Sequence, residues 1–225
     1  MDLDEVLARL QSLGNPANVE GMARFGIRAK KALGVPAPDL RKLARLLGKD
    51  HKLAQQLWTT EILDARALAS LIDDPGQVTQ KQMERWARQF DSWAICDVCC
   101  GNLFDKTAFA YSKAAEWSAR PEEFVKRAGF TLMAALAVHD KKASDREFER
   151  FLPLIEQESI DERNFVRKAV NWALRQIGKR NQTLNRRAIQ MAKTLQALNS
   201  KSARWIAADA LRELTSEAVQ KRLRR

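Results

Sequence analysis

Apolar residues recur along this chain at helical spacing, and nowhere do they form a long alternating β-branched run. The pattern predicts helices over 3–13, 39–47, 51–58, 61–73, 78–89, 91–104, 107–118, 121–138, 145–157, 162–178, 181–197, 201–214 and 216–223. The breaks carry the expected punctuation. Gly34-Val35-Pro36-Ala37-Pro38 reads as a loop with Asp39 as the N-cap after it. Asp73-Asp74-Pro75-Gly76 reads as a turn. Pro121 sits at a helix start, with Glu122 and Glu123 in the first turn where the dipole favours acids. Gly178 closes the helix before it. No long linker interrupts the series, so residues 1–225 are expected to form a single domain.

Some segments resemble one another. Arg167-Lys168-Ala169-Val170-Asn171-Trp172-Ala173-Leu174-Arg175 aligns with Arg204-Trp205-Ile206-Ala207-Ala208-Asp209-Ala210-Leu211-Arg212 at an offset of 37. Val125-Lys126-Arg127-Ala128 aligns with Val166-Arg167-Lys168-Ala169 at an offset of 41. Helix pairs at such periods match HEAT-like repeats, in which each pair buries its apolar face only against its neighbours. The expected fold is all-α: a curved HEAT-like solenoid with a concave basic face.

Composition sharpens this picture. Only 6 Pro and 9 Gly occur, and 45% hydrophobic with 30% charged residues describes a globular chain. The formal net charge is +11, from 39 Lys+Arg against 28 Asp+Glu. Such a charge gathers polyanions, nucleic acid before an anionic membrane, because no amphipathic helix shows a bulky exposed apolar face. No apolar run is long enough to span a bilayer, and the acidic start, Met1-Asp2-Leu3-Asp4-Glu5, is unlike a signal peptide. The expected location is the cytoplasm, at the nucleoid when DNA is bound. The three cysteines, Cys96, Cys99 and Cys100, are clustered without a second ligand pair and read as buried small hydrophobes rather than a zinc site. No metal or cofactor is expected.

The charge is uneven. From Arg163 through Ala208 there is no acid, while Arg163, Arg167, Lys168, Arg175, Lys179, Arg180, Arg186, Arg187, Lys193, Lys201 and Arg204 all fall there. A solvated helix face ordinarily interleaves acids in i,i+4 pairs. A stretch without them repels itself unless phosphates neutralise it, with release of counterions.

The candidate chemistry lies in Phe90-Asp91-Ser92-Trp93-Ala94-Ile95-Cys96-Asp97. Trp93 and Asp97 stand four apart and share one helix face, while Ile95, Val98 and Cys99 look like core. No basic residue of the same helix stands at helical spacing from Asp97. Arg127 and Trp172 lie near equivalent positions of other repeats and are expected to line the same concave surface. Two indoles, a carboxylate and a guanidinium suit a sugar or base, a developing positive charge and a phosphate. Each also has a plainer reading: Trp172 as core, Asp97 as a surface residue, Arg127 as its ion-pair partner.

These residues carry a family resemblance. The chain resembles the AlkD-type DNA glycosylases of the DNA alkylation repair family, which are HEAT-like helical proteins. The resemblance runs from Met22-Ala23-Arg24-Phe25-Gly26-Ile27 through Gly34-Val35-Pro36, Leu40-Arg41-Lys42-Leu43, Leu57-Trp58 and Asp64-Ala65-Arg66. It continues with Trp93-x-x-x-Asp97 and Arg127 and ends in Val166-Arg167-Lys168-Ala169 leading into Trp172-Ala173-Leu174-Arg175. It implies a catalytic cleft of Trp93, Asp97 and Trp172, with Arg127 at the DNA backbone. It also implies excision of N3- and N7-alkylated purines from duplex DNA without flipping the base into a pocket, unlike the usual route. Gly21 stands before Met22, where an aromatic is common in that family, a departure that bears on substrate range.

The implied mechanism is that Asp97 stabilises an oxocarbenium-like sugar. Trp93 and Trp172 pack on the sugar. Arg127, Arg167, Lys168, Arg175 and Lys179 hold phosphates. The expected partner is double-stranded DNA with alkylated purines, and the expected state is a monomer with no membrane partner. Two alternatives stand beside this: a non-catalytic HEAT-repeat protein that binds damaged or branched DNA, and a protein–protein scaffold.

Overall fold

The structure, a computed structural model, describes all of residues 1–225 except Arg28, Lys30 and Arg225. The described residues form helices, turns and loops, with no strand. They divide into two compact units, Met1–Ala108 and Phe109–Arg225. Among the described residues, no helix is long and apolar enough to cross a membrane.

The first unit contains α1 (Leu3–Ser12), α2 (Pro16–Arg24), α3 (Ala37–Leu47), α4 (His51–Thr59), α5 (Leu63–Ile72), α6 (Gln80–Ala87) and α7 (Trp93–Asn102), then a 3-10 turn at Phe104–Lys106. Its core centres on Trp58 of α4, which lies flat on Trp86 of α6 with ring centroids 3.8 Å apart. Phe90 and Phe104 close around them. Trp58 keeps its polar edge satisfied by donating to Gln89 Oε1 at 2.6 Å. Arg66 of α5 lies over the same indole at 5.0 Å and donates to the Trp58 carbonyl.

Two residues earlier on α5, buried Asp64 accepts the Leu33 and Val35 amides at 2.6 and 2.8 Å, which ties the loop before α3 onto α5. In that loop Gly34 has φ +74°, and a Cβ there would lie 2.3 Å from the Asn15 carbonyl oxygen, so the position takes glycine alone. The motifs around Gly34, Trp58, Asp64 and Arg66 are therefore supports of the fold.

Four places differ from the sequence pattern, the first being that α9 (Glu123–His139) has Glu122 as its N-cap, so that Pro121 precedes the helix and only Glu123 is in its first turn. Helix α2 was not anticipated: it has no buried residue and so no apolar stripe, although Asn15 caps it and Pro16 occupies its first turn. Asp39 is not the cap of α3. The helix already begins at Ala37 after Pro36, and Asp39 serves as the acid of its first turn. The single helix expected over 145–157 is two, α10 (Asp145–Glu149) and α11 (Leu152–Glu158), because Pro153 in the first turn of α11 has no amide to continue the ladder.

The second unit holds α8 (Ala110–Ser118), α9 (Glu123–His139), α10, α11, α12 (Asn164–Gly178), α13 (Gln182–Gln196), α14 (Lys201–Leu214) and α15 (Glu217–Leu223). α9 packs against α8 and α12, and α12 packs in turn against α13 and α14. The approach of α9 to α8 depends on Gly129, where a Cβ would stand 2.5 Å from the Ser118 backbone nitrogen. Repeat-like spacing shows in the polar contacts. Arg127 donates to the Phe165 carbonyl, Asn171 to Asp209 and Arg175 to Glu213, each across 38 residues.

Candidate active site

In the first unit, the candidate chemistry sits at the start of α7. Ser92 holds the extended N-cap conformation and Trp93 is the first helical residue. Ile95, Cys96, Cys99 and Cys100 turn into the core and are buried. Trp93 and Asp97 remain half-buried on the opposite side, as their spacing of four requires. Gly101 continues their row one turn later, and a Cβ there would meet no atom within 4 Å.

The Trp93 ring is fixed by a contact that no local pattern reveals. Its indole Nε1 donates to the main-chain carbonyl of Phe25 at 2.8 Å. Phe25 is the C-cap of α2, so a helix-end carbonyl anchors the indole. The Phe25 side chain itself is 69% exposed. The unanticipated helix thus holds one of the two residues of greatest chemical interest. The only sequence signals for it are the Asn15-Pro16 start and the exposed aromatic at its end.

The cysteines do not join this chemistry. Burial, with Cys96 close by, pushes the Cys99 thiol well above its usual range, and burial does the same to Cys100. Neutral buried thiols are poor nucleophiles.

The second unit carries the remaining predicted residues. Arg127 is 6% exposed on α9 and donates to the Phe165 carbonyl at 2.6 Å. Beside it, buried Lys126 pairs with Glu158 and Asp161. On α12, Lys168, Trp172, Arg175 and Lys179 follow at spacings of 4, 3 and 4 and so share one face. Trp172 is half-buried and Lys168 is exposed.

The cations of this face are not equivalent. Arg175 and Lys179 both bond Glu213 of α14, and Arg175 also lies 3.6 Å from Asp209. Burial raises the Glu213 carboxyl, but Lys179 and Arg175 together outweigh it and hold that carboxyl below its usual range. Arg167 instead lies over the Trp205 ring, 5.0 Å from its centroid.

The acid-free stretch therefore finds counter-charges outside itself: Asp161 for Arg163, Glu149 for Arg187, and Glu213 for Arg175 and Lys179. Lys168, Lys193, Lys201 and Arg204 form no ion pair among the described residues. A cavity of about 630 Å³ adjoins the Lys179 end of the α12 face, near the C-terminal ends of α9 and α12, lined by Lys141, Lys179, Arg180 and Arg222 among others. Its Arg180 donates to the carbonyls of Ala137, Asp140 and Ala143. Arg222 donates to that of Lys179. These two cations serve helix ends, the favourable place for a positive charge.

Comparison with known proteins agrees with the helical architecture. A family model described as DNA alkylation repair enzyme matches residues 6–214. An uncharacterised protein of Listeria innocua and one of Listeria monocytogenes are each 24% identical over 196 residues, spanning 85% of this chain and 85% of the relative. A solved structure described as belonging to a new family of proteins related to the HEAT-like repeat DNA glycosylases, with affinity for branched DNA structures, superposes with a TM-score of 0.82. It is 20% identical and covers 99% of this chain and 96% of its own.

Proposed function

The chain belongs to the DNA alkylation repair enzyme family, and from that premise we propose that it is a DNA glycosylase that hydrolyses the N-glycosidic bond of N3- and N7-alkylated purines in duplex DNA. One observation carries this reading: Trp93, its indole anchored by the Phe25 carbonyl, stands one turn from Asp97 on the side of α7 away from its buried residues.

An alkylated purine already bears a positive charge. When its bond to C1′ breaks, the base leaves with the electron pair as a neutral molecule, so little acid catalysis is needed. The deoxyribose left behind is oxocarbenium-like. The Asp97 carboxylate stabilises that charge. Water bonds to C1′ and Asp97 accepts its proton. The Trp93 ring, held by its N–H, offers a π face to the developing cation. Trp172 is assigned the same stacking role, and Arg127, Arg167, Lys168, Arg175 and Lys179 are assigned to phosphates. Lys168 suits that role best, because it is exposed and makes no ion pair among the described residues.

A second reading, binding of branched DNA without catalysis, is favoured by the affinity described for the solved relative. Release of 7-methylguanine from methylated duplex DNA, by wild type and Asp97→Asn in parallel, decides between them. Release by wild type that collapses in the variant, with DNA binding kept, supports the glycosylase. Absence of release by a wild type that still binds DNA supports the second reading.

A further inference from the structure

We propose that the outer face of α14 around Trp205 is a second nucleic-acid contact, a platform on which an unpaired nucleotide stacks while neighbouring cations take its phosphates. The proposal rests on the DNA-binding part of the reading above and is independent of catalysis.

Helix α14 exposes Lys201, Arg204, Trp205, Ala208 and Arg212. These positions lie 3, 4, 7 and 11 residues beyond the first and make one face. The opposite face, Ser202, Ala203, Ile206, Ala207, Ala210 and Leu214, is buried and completes the packing of the helix. The core thus has no need of an indole on the outer face. Trp205 is nonetheless 37% exposed there.

The ring is held in place from beneath. Arg167 of α12 lies over it, 5.0 Å from the centroid. Arg167 has no carboxylate partner among the described residues, and its Nε is buried without a hydrogen bond. A guanidinium so placed would ordinarily be fixed by an acid; here the indole face fixes it and its charge remains uncompensated. Arg167 covers one face of the ring, and the residue keeps 37% of its surface exposed. Lys201 and Arg204 form no ion pair among the described residues either; Arg204 donates to the Leu198 carbonyl at 3.3 Å, which holds it beside the ring and leaves its charge without an acid. The acid one turn further on, Asp209, is bonded by Asn171, Arg175 and Arg212.

A flat, part-exposed aromatic with three cations around it that no acid neutralises suits a ligand that combines π faces with regular negative charge. Nucleotides have both. Those of a duplex have their base faces stacked on one another, whereas an unpaired nucleotide offers its face to an aromatic side chain. Phosphate contact alone would not call for the indole, and an apolar protein partner would not call for uncompensated cations.

Fluorescence anisotropy with two labelled duplexes, identical except that one carries a single-stranded thymidine tail, tests the proposal. Wild type is expected to prefer the tailed duplex. Trp205→Ala is expected to lose about tenfold in affinity for it, with little change on the blunt duplex. Trp205→Phe should retain most of the affinity, and its melting curve controls for folding. Replacing Lys201 and Arg204 together by alanine should flatten the salt dependence on the tailed duplex by roughly one unit of slope or more. No loss in Trp205→Ala, or an equal loss on both duplexes, overturns the proposal. A changed mass by light scattering without a changed affinity overturns it in favour of self-association. If wild type binds neither duplex, the DNA-binding reading itself has failed; if it binds both alike, only this proposal has.

Discussion

Replacing Gly129 by alanine sets helix propensity against packing. An alanine in place of an interior glycine favours the helix by about 1 kcal/mol. At Gly129 the added Cβ would lie 2.5 Å from the Ser118 nitrogen, 2.9 Å from the Ala114 carbonyl oxygen and 2.9 Å from the Ser118 Cα. All three atoms belong to the backbone of α8, so no side chain can swing aside and the helices must part. Overpacking of this kind costs about 1–3 kcal/mol, and a rigid obstacle places it at the upper end. The net expectation is a loss of about 2 kcal/mol, or a melting temperature lower by roughly 4–8 °C for a chain of this size. The matched control is Gly101→Ala on α7, where a Cβ would meet nothing within 4 Å. Propensity acts alone there, and stability should rise by about 0.5–1 kcal/mol. Urea denaturation followed by far-ultraviolet circular dichroism measures both variants. Shifts of the same sign would refute the account, since backbone atoms block the added methyl at Gly129 and nothing blocks it at Gly101.

Gly101→Ala also has a functional consequence: its methyl fills the space one turn beyond Asp97, so excision should fall while stability rises, and unchanged excision would place the reaction elsewhere. For the cations of α12, Lys168→Ala should reduce the salt slope of duplex binding by about one with little effect on melting, because Lys168 is exposed. Lys179→Ala should instead lower the melting temperature, because it removes a partner of Glu213; the opposite pattern in the two variants would invert the assignment. Glu213 titrates lower in the fold than its usual 4.5. Its contribution is therefore fully present above about that pH and is lost as pH falls through the depressed folded value. Stability measured across the acid limb should decline less steeply in Glu213→Gln than in wild type, and identical slopes would remove Glu213 as a source of acid sensitivity.

Much of this was legible from spacing alone. Each expected helix exists, although the one over 145–157 is broken at Arg150 and Phe151, just ahead of Pro153. The pairing of Trp93 with Asp97 on one face follows from a separation of four residues, and the burial of Cys96 and Cys99 follows from their place on the other side of α7. These are local properties, set by helix geometry and independent of what packs nearby. The offsets of 37 and 41 between similar segments likewise anticipated the contacts across 38 residues in the second unit.

Tertiary structure decided the rest, wherever a partner lies far along the chain. Spacing on α7 exposes Trp93, but only the fold brings it the Phe25 carbonyl from 68 residues away on a helix with no apolar stripe. The stretch from Arg163 to Ala208 lacks acids in sequence, yet packing of α12 against α14 brings Glu213 to Arg175 and Lys179 and leaves Lys168 exposed. Trp205 and Arg167 meet by the same packing. Local periodicity fixes which face a side chain takes; only the long-range contacts of the folded chain determine whether a charge on that face is already neutralised or remains available to a ligand.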